Sequence, residues 1–95
     1  MNIGKAIKQL RKKQSLSQAQ LAERTGITQT ALSQIENGSR RPNNETFKKL
    51  TDYFQVPEIL IYLLATEDTD VAENKQEMFR AIFPNVKNLL LSVFE

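Results

Sequence analysis

The chain contains neither cysteine nor histidine. Disulfide staples, thiol nucleophiles, imidazole acid–base chemistry and the common zinc sites are therefore excluded, and stability has to come from packing. Its three glycines form no phosphate-cradling loop, and its carboxylates form no cluster at metal-ligand spacing, so an enzyme lacks its parts and neither cofactor nor metal is expected. No apolar run approaches the roughly 18 residues of a membrane span. The opening "MNIGKAIKQLRKKQ" spreads its charges over a helical pattern instead of forming a signal segment. The expectation is a cytoplasmic protein with no membrane partner.

What is present is a chain of 95 residues, 40% hydrophobic and 25% charged, enough for one small domain with an appendage. Its net charge of +2 hides a division. Residues 1–56 carry ten Lys/Arg against four acids, a net +6, whereas residues 57–95 carry three against seven, a net −4. A basic first half suits a polyanion, and an acidic second half does not.

Apolar residues at Ile3, Ala6, Ile7 and Leu10 recur at three and four, which predicts a first helix ending near Ser15 with Lys5, Lys8, Lys12 and Lys13 outward. Ser17 is placed to cap "QAQLAERTG", a two-turn helix closed by Gly26. Thr28 repeats the arrangement for "QTALSQIENG", with Ala31, Leu32 and Ile35 inward and Gly38 as the stop. So tight a junction between two short helices is the arrangement of a helix-turn-helix. Asn43 or Asn44 caps a fourth helix carrying Phe47, Leu50, Tyr53 and Phe54. Pro57 opens a fifth, "PEILIYLLA", apolar nearly all round and expected to close the core. "TEDTD" reads as a linker. Two amphipathic helices are predicted beyond it, split at Pro84.

The third helix buries so few residues that its other face, Gln29, Thr30, Ser33 and Gln34, must point away from the domain. Glutamine offers a donor and an acceptor together, matching the N6 and N7 pair of adenine in the major groove, while Ser and Thr can bond either way or touch a thymine methyl. Arg40 and Arg41 follow where a sugar-phosphate backbone would run past.

The stretch "LSQAQLAERTGITQTALSQIENGSRRP" resembles the helix-turn-helix of the phage Cro and repressor family, also called the Xre or Cro/C1-type family, almost position by position. The resemblance covers about residues 3 to 64. It implies an all-α fold, a five-helix lambda-repressor-like DNA-binding domain followed here by a C-terminal helical extension. It further implies that Gln29, Thr30, Ser33 and Gln34 lie on the recognition helix and touch bases, and that Gln18 bonds a phosphate and braces the first residue of that helix. Asn37, Ser39, Arg40, Arg41 and Lys8 are expected at phosphates. Arg11 and Glu36 match an arginine and a glutamate that pair to tie the first helix to the third, and Gly38 serves the helix stop. The implied bearer is bacterial or phage-encoded.

The domain is read as residues 1–65, the linker as 66–70, and the tail as 71–95, which carries no motif of that family. Its large apolar residues Val86, Leu89, Leu90, Val93 and Phe94 would make a sticky patch if left wet, so they pack on the domain, on the preceding helix or on a second copy. The tail is assigned to homodimerisation, with a tail folded back on its own core as the alternative. The leading reading is a sequence-specific regulator that binds double-stranded DNA, a repressor on a palindromic operator. The alternative is an interaction module, such as an antitoxin or a restriction-system controller, whose tail holds a partner protein.

Overall fold

The computed structural model describes residues 1–93. Six helices are formed: α1 (Ile3–Lys13), α2 (Gln18–Thr25), α3 (Gln29–Glu36), α4 (Asn44–Phe54), α5 (Glu58–Ala65) and α6 (Gln76–Ser92), with single 3-10 turns at Asp68–Asp70 and Glu73–Lys75. The all-α expectation holds among the described residues.

Local chemistry fixes each start. Asn2, Ser17, Thr28 and Asn43 each accept a hydrogen bond from a backbone N–H of the first turn of α1, α2, α3 and α4. At α2 the side chain of Gln20 returns the favour to the backbone of Ser17, completing a capping box. Gly26 ends α2 at φ 74°, a left-handed conformation in which a side chain would be strained. Pro57 stands just outside α5 as its cap residue, one position earlier than the first-turn role expected of it.

The core gathers one face of each of the first five helices, with Ile7, Leu10, Leu21, Leu32, Ile35, Leu50, Ile61 and Leu64 fully enclosed. α1 packs on both α3 and α5, and α2 bridges α3 and α4. Stacking of Phe47 on Tyr62 at 5.5 Å joins α4 to α5, and Arg24 donates to the Tyr53 hydroxyl at 3.0 Å to join α2 to α4. α5 buries Ile61, Leu64 and Ala65 but leaves Ile59, Tyr62 and Leu63 exposed.

Pro84 does not split the tail. α6 runs through it as one helix of 17 residues. Proline deletes one backbone hydrogen bond and crowds the carbonyl four residues back, a cost of about 3 kcal/mol. Offsetting contacts stand on both sides: Phe79 stacks on Phe83 at 4.5 Å, and Leu90 and Leu91 pack against the domain core. The acidic "TEDTD" stretch is likewise tied down. The Met1 ammonium bonds Asp70 at 2.7 Å and Glu67 at 3.1 Å, the Asn2 N–H donates to the Ala65 carbonyl at 2.8 Å, and Arg80 of α6 bonds Asp68 at 2.9 Å. No described helix is long and apolar enough to cross a membrane.

Candidate nucleic-acid interface

α3 exposes Gln29, Thr30 and Gln34 to solvent, with Ser33 half-buried between them. Together with Gln18 they line a shallow groove of about 340 Å³. Glu36 is the one charged residue of α3, and it is turned inward, so this face carries no charge of its own.

Glu36 lies against Arg11. Arg11 Nε donates to Glu36 Oε2 at 2.7 Å and Nη2 to Oε1 at 2.8 Å, while Nη1 donates to the Leu16 carbonyl at 2.7 Å. The two side chains are only 9% and 2% exposed. The hydrogen bond to the Glu36 carboxylate raises the arginine's already high pKa. This two-point link fastens the end of α3 to the end of α1. Gln18 joins it: the hydrogen bond its amide makes runs to Glu36 Oε1 at 3.2 Å, at the last residue of α3, not to the first residue that the family resemblance led us to expect. At the other end Thr28 caps the helix.

A second brace is a close approach. A Cβ on Gly4 of α1 would fall on the carbonyl oxygen of Ile35 and stand 3.1 Å from that of Glu36, so the two helices touch backbone to backbone. The spacing of apolar residues carried no hint of this, since a glycine has no side chain to count.

The turn after α3 is ordered from within. Asn37 Oδ1 accepts from the Ser39 N–H at 2.9 Å and from its hydroxyl at 2.6 Å, the N–H groups of Ser39 and Arg40 both return to the Gln34 carbonyl, and Gly38 takes φ 84°. Arg40 and Arg41 are thereby held beside the C-terminal end of α3. They line a cavity of about 550 Å³ together with the start of α1 and Glu67. Both are exposed, as is Lys8 on α1, and among the described residues none of the three side chains has a hydrogen-bonding or ionic partner. Chemically, the arrangement offers uncharged two-way hydrogen-bonding tips on a rigid helix, flanked by free cations.

Of the tail residues assigned to dimerisation, Val86, Leu89 and Val93 are exposed, whereas Leu90 is half-buried against the chain's own core. Phe94 lies outside the described residues. Met78 and Ile82, at 68% and 52% exposure, share the outward face and were missed. The missed signal was their four-residue spacing to Val86, which a break at Pro84 would have interrupted.

The sequence of residues 7–61 matches the family model described as helix-turn-helix. The chain is 31% identical over 87 residues to the HTH-type transcriptional activator BcrR of Enterococcus faecalis, covering 87% of this chain and 43% of that protein. It is 28% identical over 95 residues to an uncharacterised HTH-type transcriptional regulator of Mycobacterium tuberculosis, MT0491 in strain CDC 1551 and Rv0474 in strain H37Rv, covering 96% of this chain and 68% of each relative. The chain thus spans under half the length of the Enterococcus protein. No solved structure matches it. With the matched segment extending over more than half its length and running from α1 into α5, the chain belongs to the Xre, or Cro/C1-type, family of helix-turn-helix transcriptional regulators.

Proposed function

We propose that this chain is a sequence-specific, double-stranded-DNA-binding transcriptional repressor that acts as a homodimer on a palindromic operator, from the cytoplasm and without a catalytic step. Residues 1–65 form the DNA-reading unit and residues 71–95 the assembly element, joined through 66–70. The observation that supports this best is the exposed, uncharged face of α3, whose single carboxylate is withdrawn into the pair with Arg11. A phosphate-lined groove would repel that carboxylate, and the fold hides it.

In this reading Gln29, Thr30, Ser33 and Gln34 meet base edges in the major groove. Arg40, Arg41, Lys8, Gln18 and the turn of Asn37 and Ser39 meet phosphates and fix register. Arg11, Glu36 and Gly38 hold the frame. Two copies would address half-sites about 34–36 Å apart, one turn of DNA, or a multiple of that distance. The Enterococcus relative carries the name of an activator, so the sign of regulation is the part of this reading that depends on where the operator lies.

A second reading is favoured by one feature, the uncovered apolar stripe on the acidic tail: an antitoxin-like or controller-like module whose tail holds another protein. The deciding experiment is selection of duplexes from a random pool by the full chain at near-physiological salt, followed by sequencing of what is retained. An enriched palindrome is expected. Retention without a shared sequence, or no retention, would overturn the repressor reading and favour the docking module.

A further inference from the structure

Helix α6 has two apolar faces. Phe83, Leu90 and Leu91 are half-buried, the two leucines against the domain core. Met78, Ile82, Val86, Leu89 and Val93 form a second stripe that is exposed among the described residues, with Leu89 and Val93 exposed by 71% and 74%. The two ends of this stripe differ in shape. Its N-terminal end is hollow: Val71, Phe79 and Phe83, with Met78, Ile82 and Val86, line an apolar groove of about 270 Å³ in which Lys75 is the one charged lining residue. Its C-terminal end offers Leu89 and Val93 as projections.

We propose that two copies of the chain pair antiparallel through α6, so that Leu89 and Val93 of each copy fill the Val71–Phe83 groove of the other, with Ile82 and Val86 of the two copies adjacent at the centre. The inference rests on the homodimer reading for its occupant and adds the surface and its polarity. Three observations select this arrangement. Positions 79, 82, 86, 89 and 93 follow the alternating three-and-four spacing of a two-helix seam. Antiparallel pairing sets projections into hollows, whereas parallel pairing sets Leu89 on Leu89 and leaves two grooves facing each other. It also places the uncharged end of the stripe opposite Lys75, where parallel pairing would set Lys75 against Lys75 across the seam.

The area is sufficient. Five side chains exposed to this extent offer roughly 500 Å² per copy, so a pair buries roughly 1,000 Å², the lower bound for a specific interface. The seam lies on α6, which packs on α5, and it uses none of the residues of the α3 face.

Because the chain has no cysteine, an introduced thiol is its sole thiol. Phe79→Cys and Leu89→Cys are made separately and oxidised gently, alone and mixed. The mixed disulfide should dominate and each variant alone should stay largely uncrosslinked, since only the antiparallel seam brings positions 79 and 89 within the roughly 7 Å between Cα atoms that a disulfide tolerates. Ile82→Cys mixed with Val86→Cys repeats the test at two solvent-exposed positions that face each other in the same register, should Phe79→Cys disturb the ring stack. Self-crosslinking of each variant would overturn the proposal in favour of parallel pairing. Absence of any crosslink overturns it too, whether the unmodified chain sediments as a dimer through another face or as a monomer. The duplex selection is independent: crosslinking without DNA retention would leave the seam and remove the repressor, and a selected palindrome without crosslinking would do the reverse.

Discussion

Replacing Glu36 by glutamine tests whether the frame of the α3 face is held as described. The substitution keeps the side-chain shape but removes the charge, and it puts an amide N–H where Arg11 needs an acceptor. Arg11 is then left 7% exposed with the Leu16 carbonyl and one amide oxygen at position 36 as acceptors, and with no counter-charge. Removing one partner of a buried pair costs about 3–5 kcal/mol, because the other charge stays buried without compensation. Domains of this size hold about 5–15 kcal/mol in all. At about 4–8 °C per kcal/mol, Tm should fall by at least about 12 °C. Urea unfolding followed by helical circular dichroism gives the free energy directly, and the loss should persist at high salt, since ions screen a buried pair little. The double variant Arg11→Met with Glu36→Leu removes both charges and should be no less stable than the parent, or more stable by about 1–4 kcal/mol. A loss for Glu36→Gln below about 1 kcal/mol, the range of an exposed ion pair, would refute the reasoning.

Other outcomes follow from the same geometry. Gln34→Ala should lose about 1–3 kcal/mol at the selected DNA site and relax base preference there, whereas Arg41→Ala should weaken binding to all sequences and reduce the salt slope by about one. Binding titrations over a salt series separate the two, and identical behaviour of both variants would dissolve the division between base and phosphate contacts. Gly4→Ala drives a methyl group onto the Ile35 carbonyl and should cost about 1–3 kcal/mol in urea unfolding; an unchanged midpoint would mean that α1 and α3 part easily. The Asp70 and Glu67 carboxylates hold the Met1 ammonium pKa above its ordinary 8.0, so the stability this contact adds is present below pH 8 and lost as pH rises through the raised value. The same ammonium, with the Glu67 N–H, holds Asp70 below its ordinary 3.8, so that contribution is present above that pH and lost as pH falls through the lowered value. Amide protection at residues 67–70, corrected for intrinsic exchange, should therefore be greatest between the two limits. Asp70→Asn should abolish the dependence on the acid side and weaken it on the alkaline side, where Glu67 still holds the ammonium.

The first five helices were legible because their signals are local. A hydroxyl or amide at Ser17, Thr28 and Asn43, an apolar spacing of three and four, and Gly26 at a left-handed turn are each decided within one or two turns of chain. The uncharged tips of α3 were legible by subtraction: once Ala31, Leu32 and Ile35 were assigned inward, the remaining face had to be Gln29, Thr30, Ser33 and Gln34. The Arg11–Glu36 pair came from family resemblance alone. Twenty-five residues separate its members, and no rule of spacing joins them.

The tail shows the opposite case, and it explains why Pro84 misled. A proline in a helix is judged a break because its cost falls on the helix itself, but helix stability in proteins comes mostly from packing of an apolar face. α6 keeps one such face on the domain through Leu90 and Leu91 and carries a second stripe unbroken from Met78 to Val93. Splitting the segment at Pro84 would turn the two halves of that stripe to different directions and spoil both. If the antiparallel seam forms, the middle of the stripe lies at its centre, beside Ile82 and Val86, where a change of direction would part the two copies. α6 is continuous through Pro84 in the single chain, and substituting Pro84 by alanine should strengthen the helix without creating the seam. Sedimentation checks this: Pro84→Ala should leave the association constant near that of the parent, and a dimer that appears only in the variant would show that the proline holds the two copies apart.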